Sequence, residues 1–329
     1  MAETAVYSTI NFEAEGKHLG YIHMPHSVHR SGYGVIPFPV ASIKNGNGPC
    51  VLVMGGVHGD EYEGQLVVSE LIRNTDPKDI SGQMILMPMA NFPAAEAGLR
   101  TSPIDEGNLN RLFPGDPNGT PTVAIADYIE NTVMAKCDFV MDLHSGGESM
   151  TYAKPTGMMR IGTDDSQRDL KRKIIEAYGL PYFAIYNSEG GGFSSAAAER
   201  QGALSIFAEF GGGGTVDPAI LSMARGGVRR VLQTIGVLGG AVEPGTHPPT
   251  ITFPAAAYIF SPEAGVAELT ACCGDSVNAG DIAARIHYPE TPGKEPTEVR
   301  FEQDGVVLAV NLPARIKRGV CLYHLGTDG

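Results

Sequence analysis

The stretch Val51-Leu52-Val53-Met54-Gly55-Gly56-Val57-His58-Gly59-Asp60-Glu61 decides the fold of this chain. Its short apolar run has the character of a strand buried on both faces, the kind found in parallel sheets. The paired glycines permit a tight turn out of that strand. Glu61 then opens a helix through Gln65, Leu66, Val67, Val68, Leu71 and Ile72. His58 and Glu61 therefore sit at the carboxyl end of a strand, the edge at which open α/β sheets bind ligands.

A second apolar run, Phe139-Val140-Met141, ends just before Asp142-Leu143-His144-Ser145 in the same way. Two imidazoles and a carboxylate make a three-ligand zinc set, which leaves one coordination position open for water or substrate. His58 and Glu61 lie three apart, so one helical turn brings both toward one metal. Taken singly each is usually a turn residue; the combination points to metal. Asp142 either orients the His144 ring or caps a turn.

Length and composition agree with a soluble enzyme. The 329 residues suggest one large domain and a smaller one. The net charge is −13, and no Lys/Arg-rich block supplies the footprint of a nucleic-acid binder. Met1 to Ala5 lack a signal-peptide pattern and no apolar run approaches a spanning length, so a cytoplasmic protein without membrane or nucleic-acid partners is expected. The five cysteines, Cys50, Cys137, Cys272, Cys273 and Cys321, have no C-x-x-C spacing and read as reduced thiols.

Strand-like runs at Val35–Val40 and Met84–Met87 alternate with helix-like segments around 121–135, 166–178 and 217–238, an α/β pattern. The breaker-rich Glu243-Pro244-Gly245-Thr246-His247-Pro248-Pro249 reads as a linker, dividing a catalytic domain at 1–245 from a small all-β unit at 246–329. That tail carries a faint repeat. Gly265-Val266-Ala267 leads to Ala279-Gly280-Asp281-Ile282-Ala283, and Gly305-Val306-Val307 leads to Arg318-Gly319-Val320-Cys321-Leu322. Two such units suggest a pseudo-symmetric barrel-sandwich, similar to the hammerhead fold of biotinyl and lipoyl domains. Lys294 lacks the flanking methionines of their modified lysine and reads as a turn residue, so the unit is expected to serve as a lid or in assembly of a homo-oligomer.

Between the ligand groups lie Asn91-Phe92-Pro93, Arg100 and Asn108-Leu109-Asn110-Arg111-Leu112-Phe113-Pro114-Gly115, in what reads as a long loop. Arginine suits planar recognition of carboxylates and stabilises developing negative charge. His18, His23, His26 and His29 lack strand-end placement and a carboxylate partner, and are expected at the surface.

Gly-x-His-Gly-x-Glu at 56–61, Asn-Arg-x-Phe-Pro-Gly at 110–115 and Asp-x-His-Ser at 142–145 resemble the succinylglutamate desuccinylase/aspartoacylase family of the zinc carboxypeptidase superfamily. The resemblance covers about residues 45–240. It implies a zinc-carboxypeptidase-like mixed, mainly parallel sheet with helices on both faces. It also implies one Zn2+ per subunit on His58, Glu61 and His144, with Arg100 polarising the scissile carbonyl. Asn110 and Arg111 would clamp the substrate α-carboxylate, and Glu209, in Leu204-Ser205-Ile206-Phe207-Ala208-Glu209-Phe210-Gly211, would be the catalytic acid/base after a late strand. Gly211 to Gly214 would let the backbone turn beside the site; no Gly-Lys-Ser/Thr follows, so they are not a phosphate loop. Asn108 stands where relatives commonly have aspartate. His58-Gly59-Asp60-Glu61-Tyr62-Glu63-Gly64 and Glu209-Phe210-Gly211-Gly212-Gly213-Gly214 look like the branch of Nα-acetyl-2,4-diaminobutyrate deacetylases of ectoine breakdown.

The activity so implied is zinc-dependent hydrolysis of a small N-acyl amino acid. A substrate ammonium calls for an acidic residue in the pocket, and Glu189, in a glycine-rich loop, is a candidate. The alternatives are a desuccinylase or aspartoacylase, which needs a further cation for the acyl carboxylate, a carboxypeptidase for short peptides, and a non-enzymatic metal-binding assembly protein.

Overall fold

Residues 5–161, 167–186, 190–243, 247–253 and 256–328 are described in the computed structural model of the chain. Strands β1 (Tyr7–Ser8), β2 (Gly16–Pro25) and β3 (Val35–Asn45) lead into β4 (Cys50–Gly55), helix α1 (Tyr62–Asn74) and β5 (Gly82–Met87). Helices α2 (Phe92–Ala97) and α3 (Pro121–Tyr128) precede β6 (Phe139–His144) and β7 (Met150–Arg160). Then come α4 (Arg168–Tyr178), β8 (Tyr182–Tyr186), α5 (Ser194–Arg200), β9 (Leu204–Gly212) and α6 (Pro218–Thr234). The remaining strands are β10 (Thr250–Thr252), β11 (Tyr258–Phe260), β12 (Gly265–Leu269), β13 (Ser276–Val277), β14 (Ile282–His287), β15 (Thr297–Arg300), β16 (Gly305–Asn311), β17 (Arg315–Ile316) and β18 (Cys321–Asp328).

The apolar runs at Val51 and Phe139 form the centre of a mixed sheet in which β5, β4, β6 and β9 are parallel neighbours. Every residue of β4 and β5 is buried, as strands covered on both faces require. Alternation along β4 sorts the two layers. Val51 and Val53 pack with Val67 and Val68 of α1 and Val228 and Val231 of α6, whereas Leu52 and Met54 pack with Ile125 of α3 and Ala197 and Ala198 of α5. Helices thus cover both faces of the mixed sheet.

Three local expectations need correction. Strand β6 does not stop short of its ligand but carries His144 as its last residue, and Glu209 likewise lies inside β9. The segment between the ligand groups is not an open loop: α2 and a 3-10 turn at Leu109–Arg111 punctuate it. The helix expected over 121–135 leaves α geometry after Tyr128, passing through a π turn at Ile129–Val133 and a 3-10 turn at Met134–Lys136.

Beyond β9 the sheet changes direction. Strand β7 inserts antiparallel to β9, β8 and β10 then run parallel to β7, and β18 returns antiparallel to β10. Strands β10, β11, β13, β16 and β18 therefore extend the main sheet, whereas β12, β14, β15 and β17 form a separate four-stranded sheet, and Ile251 and Leu308 share a small core with Met158 and Ala184. Pro244, Gly245 and Thr246, where the sequence suggests a boundary, lie outside the described residues.

The faint repeat has a structural counterpart. Each half is a strand, a two-residue strand and a strand: β12, β13, β14 and then β16, β17, β18. The short strands cross over, β13 pairing with β16 and β17 with β12, so each half completes the other's sheet around a common core that includes Ile286, Leu322 and Tyr323. Lys294 is an ordinary surface partner, 2.8 Å from Glu263 and stacked over Tyr288. All five cysteines are free, with Cys50 and Cys137 buried. Among the described residues no helix is long and apolar enough to cross a membrane.

Candidate active site

Gly55 ends β4 where α1 crosses it: a Cβ there would lie 2.4 Å from the carbonyl carbon of Gly64, so only glycine lets the helix approach so closely. That approach seats Glu61, the residue capping α1, beside the next strand. Register does the rest. Gly55 pairs with Leu143, and His144 at the end of β6 pairs with Glu209 of β9. His58, Glu61 and His144 are all buried, and one ligand atom from each lies within 4.8 Å of the others. Among the described residues they are the one His/Cys/Asp/Glu group with such spacing; the amino-terminal histidines do not form a second.

Hydrogen bonding fixes which nitrogens face inward. Nε2 of His144 lies 2.9 Å from Asp142 Oδ2, an oxygen that only accepts, so Nε2 carries the proton and donates. Nε2 of His58 donates to Asn108 Oδ1 at 3.1 Å. Asp142 is thus an orienting group, and Asn108 performs the same service with a neutral amide. Each Nδ1 then turns a lone pair toward Glu61, His58 at 2.7 Å from Oε1 and His144 at 2.8 Å from Oε2. With both imidazoles neutral these contacts set acceptor against acceptor, which either protonation of the rings or a shared cation relieves, and two imidazoles with one carboxylate are suitable donors for zinc. Although burial opposes its charge, Glu61 is held well below the usual carboxylate range by the two imidazoles. Burial also opposes charge on His144, yet Asp142 and Glu61 raise its pKa well above the usual value.

The remaining expected residues converge on the same point. Arg100 Nη1 donates to Glu61 Oε1 at 3.2 Å. Asn110 Nδ2 stands 3.3 Å from the His144 ring, and Arg111 anchors to the Asn110 carbonyl at 2.7 Å with its guanidinium 4.7 Å from the centre of the Phe193 ring. Burial and the charge of Arg100 lower the Arg111 pKa, so two cations are crowded together where an anion would relieve them. Glu209 is half-buried, and among the described residues its enclosed Oε2 has no partner; burial of the carboxyl pushes its pKa up to about 8, with Glu61 adding to the shift and His144 and Arg100 opposing it. Gly211 to Gly214 all have positive φ and turn the chain away just past it.

These groups open into a cavity of about 520 Å³. Its far wall was not legible in the sequence. His324 of β18 is sandwiched between Phe253 and Tyr258, at centroid distances of 4.9 and 4.4 Å, and meets the Tyr152 hydroxyl at 3.1 Å. A histidine inside the apolar run Leu322-Tyr323-His324-Leu325 was the available signal. Ser194, buried against Asp142, was also missed, and Glu189 lies outside the described residues.

Burial lowers the His324 pKa to about 4, against 6.5 in an exposed chain, so the unfolded protein binds the extra proton. Its contribution is complete above pH 6.5 and is lost as pH falls toward 4, a total of about 3 kcal/mol. In urea titrations His324→Phe is expected to lose less stability than the parent over that interval. Equal losses would show that His324 does not titrate with folding.

Residues 47–235 match the model of the succinylglutamate desuccinylase/aspartoacylase catalytic domain. Over 317 residues, 95% of this chain and 92% of the relative, the sequence is 37% identical to an N-alpha-acetyl-L-2,4-diaminobutyric acid deacetylase of Halomonas elongata. The product-bound structure of the ectoine utilization protein EutE (DoeB) from Ruegeria pomeroyi superimposes with a TM-score of 0.94 at 35% identity, covering 99% of each chain. A succinylglutamate desuccinylase structure from a Silicibacter species gives 0.92 at 34% identity over 100% of each chain.

Proposed function

Because the chain belongs to the succinylglutamate desuccinylase/aspartoacylase family, we propose that it hydrolyses the amide of Nα-acetyl-L-2,4-diaminobutyrate, releasing acetate and the diamino acid. The observation that carries this choice is the charge inventory of the cavity. Among the described lining residues the only Lys or Arg side chains are Arg100 and Arg111, both beside the reaction centre. They suffice for one α-carboxylate and one carbonyl oxygen, with no further cation for the second carboxylate of a succinyl or aspartyl substrate. Three carboxylates line the same cavity: Glu61, Glu209 and Glu199. Glu199, also paired with Arg160 at 2.8 Å, is left to face a substrate ammonium.

In this reading His58, Glu61 and His144 hold one zinc ion per subunit. Bound zinc supplies Lewis acidity and lowers the pKa of water toward neutrality. Arg111 and Asn110 fix the α-carboxylate, which holds the scissile carbonyl near Arg100. Arg100 donates hydrogen bonds to the carbonyl oxygen as it gains negative charge. Glu209, ionised once a cation at His58, Glu61 and His144 offsets the effect of burial, accepts the proton of the attacking water on Oε2 and returns it to the amide nitrogen, which leaves only once protonated. The stacked rings of Phe253, His324 and Tyr258 exclude bulk water and limit the length of substrate that fits, which favours a small acyl amino acid over a peptide.

The same reading keeps residues 1–245 as the catalytic domain and 246–329 as a barrel-sandwich unit that walls the pocket, in a cytoplasmic homo-oligomer. The crossed short strands of the two half-repeats support the barrel-sandwich assignment.

A substrate panel tests the proposal. Zinc-loaded protein should prefer acetyl over succinyl and aspartyl groups, and the diaminobutyrate side chain over the uncharged 2-aminobutyrate. Glu199→Gln should narrow the second preference by about fivefold, the worth of a partly exposed charge pair. Preference for a succinyl or aspartyl substrate would overturn the acyl assignment.

A further inference from the structure

Building on the metal-dependent amidohydrolase reading of this site, we propose that Ser194 is a positioning residue that ties the ligand His144 and the carboxylate clamp Asn110 to one point of the chain. Ser194 opens α5 and is buried. Its hydroxyl donates to Asp142 Oδ2 at 2.5 Å, the same oxygen that accepts the His144 Nε2 proton at 2.9 Å. Its backbone N–H donates to Asn110 Oδ1 at 2.8 Å, which turns Asn110 Nδ2 toward the His144 ring.

Asp142 depends on this contact. Among the described residues its other oxygen, Oδ1, is buried without a partner, and His144 and Ser194 are the donors that hold the carboxylate in place. Losing the Ser194 hydroxyl would leave the orientation of Asp142, and through it that of His144, to a single hydrogen bond. The residues before Ser194 fasten the clamp from the same side. Gly192 accepts from the Phe113 N–H at 3.3 Å, and a Cβ at Gly192 would lie 2.2 Å from the Arg111 carbonyl oxygen. Phe193 supplies the ring under the Arg111 guanidinium.

One residue thus serves two functions through two different groups, its hydroxyl toward the metal ligand and its amide toward the substrate clamp. Substitution separates them. Ser194→Ala removes the hydroxyl and keeps the amide. Ser194→Pro removes both at the first helical position, which accepts proline, and the preceding Phe193 already has the extended backbone that proline requires, φ −85° and ψ 152°.

Zinc affinity is read by competition with a chromogenic chelator, and KM at saturating zinc on the acetylated substrate. Ser194→Ala should raise the zinc dissociation constant about tenfold or more and leave KM within about twofold. Ser194→Pro should show the same zinc loss and raise KM about tenfold further, because Asn110 loses its buried donor. Parental zinc affinity in Ser194→Ala, or equal KM in the two variants, would overturn the proposal. The chelator measurement needs no substrate, so if the parent binds zinc but turns over no N-acyl amino acid, the functional reading alone fails.

Discussion

Glu209→Gln is expected to lower kcat about a thousandfold, or about 4 kcal/mol in the barrier, while zinc content stays at one per subunit. The substitution keeps shape and burial and removes only the ability to accept and return a proton. Glu209 sits opposite His144 in the sheet register, so its position is set by backbone pairing and does not depend on its charge. Burial pushes its pKa to about 8, which means that the ionised form is costly at neutral pH, and the neutral amide should leave stability unchanged or improved. Near-normal turnover by zinc-loaded Glu209→Gln would remove this residue from the mechanism. A protein that lost zinc or unfolded would instead point to a structural role.

Removing the metal should have the other large effect, on activity and on stability together. A ligand held only by the folded chain at a thousand times its dissociation constant stabilises by about 4 kcal/mol, and chelation forfeits that amount. The contacts of Glu61 indicate where the loss arises. Without a cation, a buried carboxylate and two imidazole lone pairs face one another at 2.7 and 2.8 Å, and the site can relax only by protonation or displacement. Chelation should abolish turnover and lower the unfolding midpoint, and zinc should restore both. Full activity after complete chelation would eliminate the metal-dependent mechanism.

The parts of the site that were legible in sequence share a physical reason. His58 and Glu61 are three residues apart beside a glycine turn, and His144 ends an apolar run, so local spacing alone places them at strand ends. The same holds for the central strands, whose burial on both faces appears as uninterrupted apolar runs. Ser194 carries no local pattern, and His324 shows only as a polar residue inside an apolar run. Their significance arises because β6, α5 and β18 bring residues 144, 194 and 324 to one cavity, which is a property of topology. Strand β7 was similarly obscure: Met150–Arg160 contains Pro155 and Gly157 and its burial switches part-way along, so no single period describes it.

The strand order also sets a schedule for making the enzyme. Read from the amino terminus, both histidine ligands and Glu61 are in the chain by residue 144, the proton acceptor arrives at residue 209, and the aromatic wall only at residues 253–324. The three proposed ligands are therefore present in a growing polypeptide well before the proposed proton acceptor and the aromatic wall. Strand β18, which pairs with β10, β11 and β16, brings the last piece of the wall, so a chain lacking its C-terminal strands would hold every proposed ligand and lack the shelter around them.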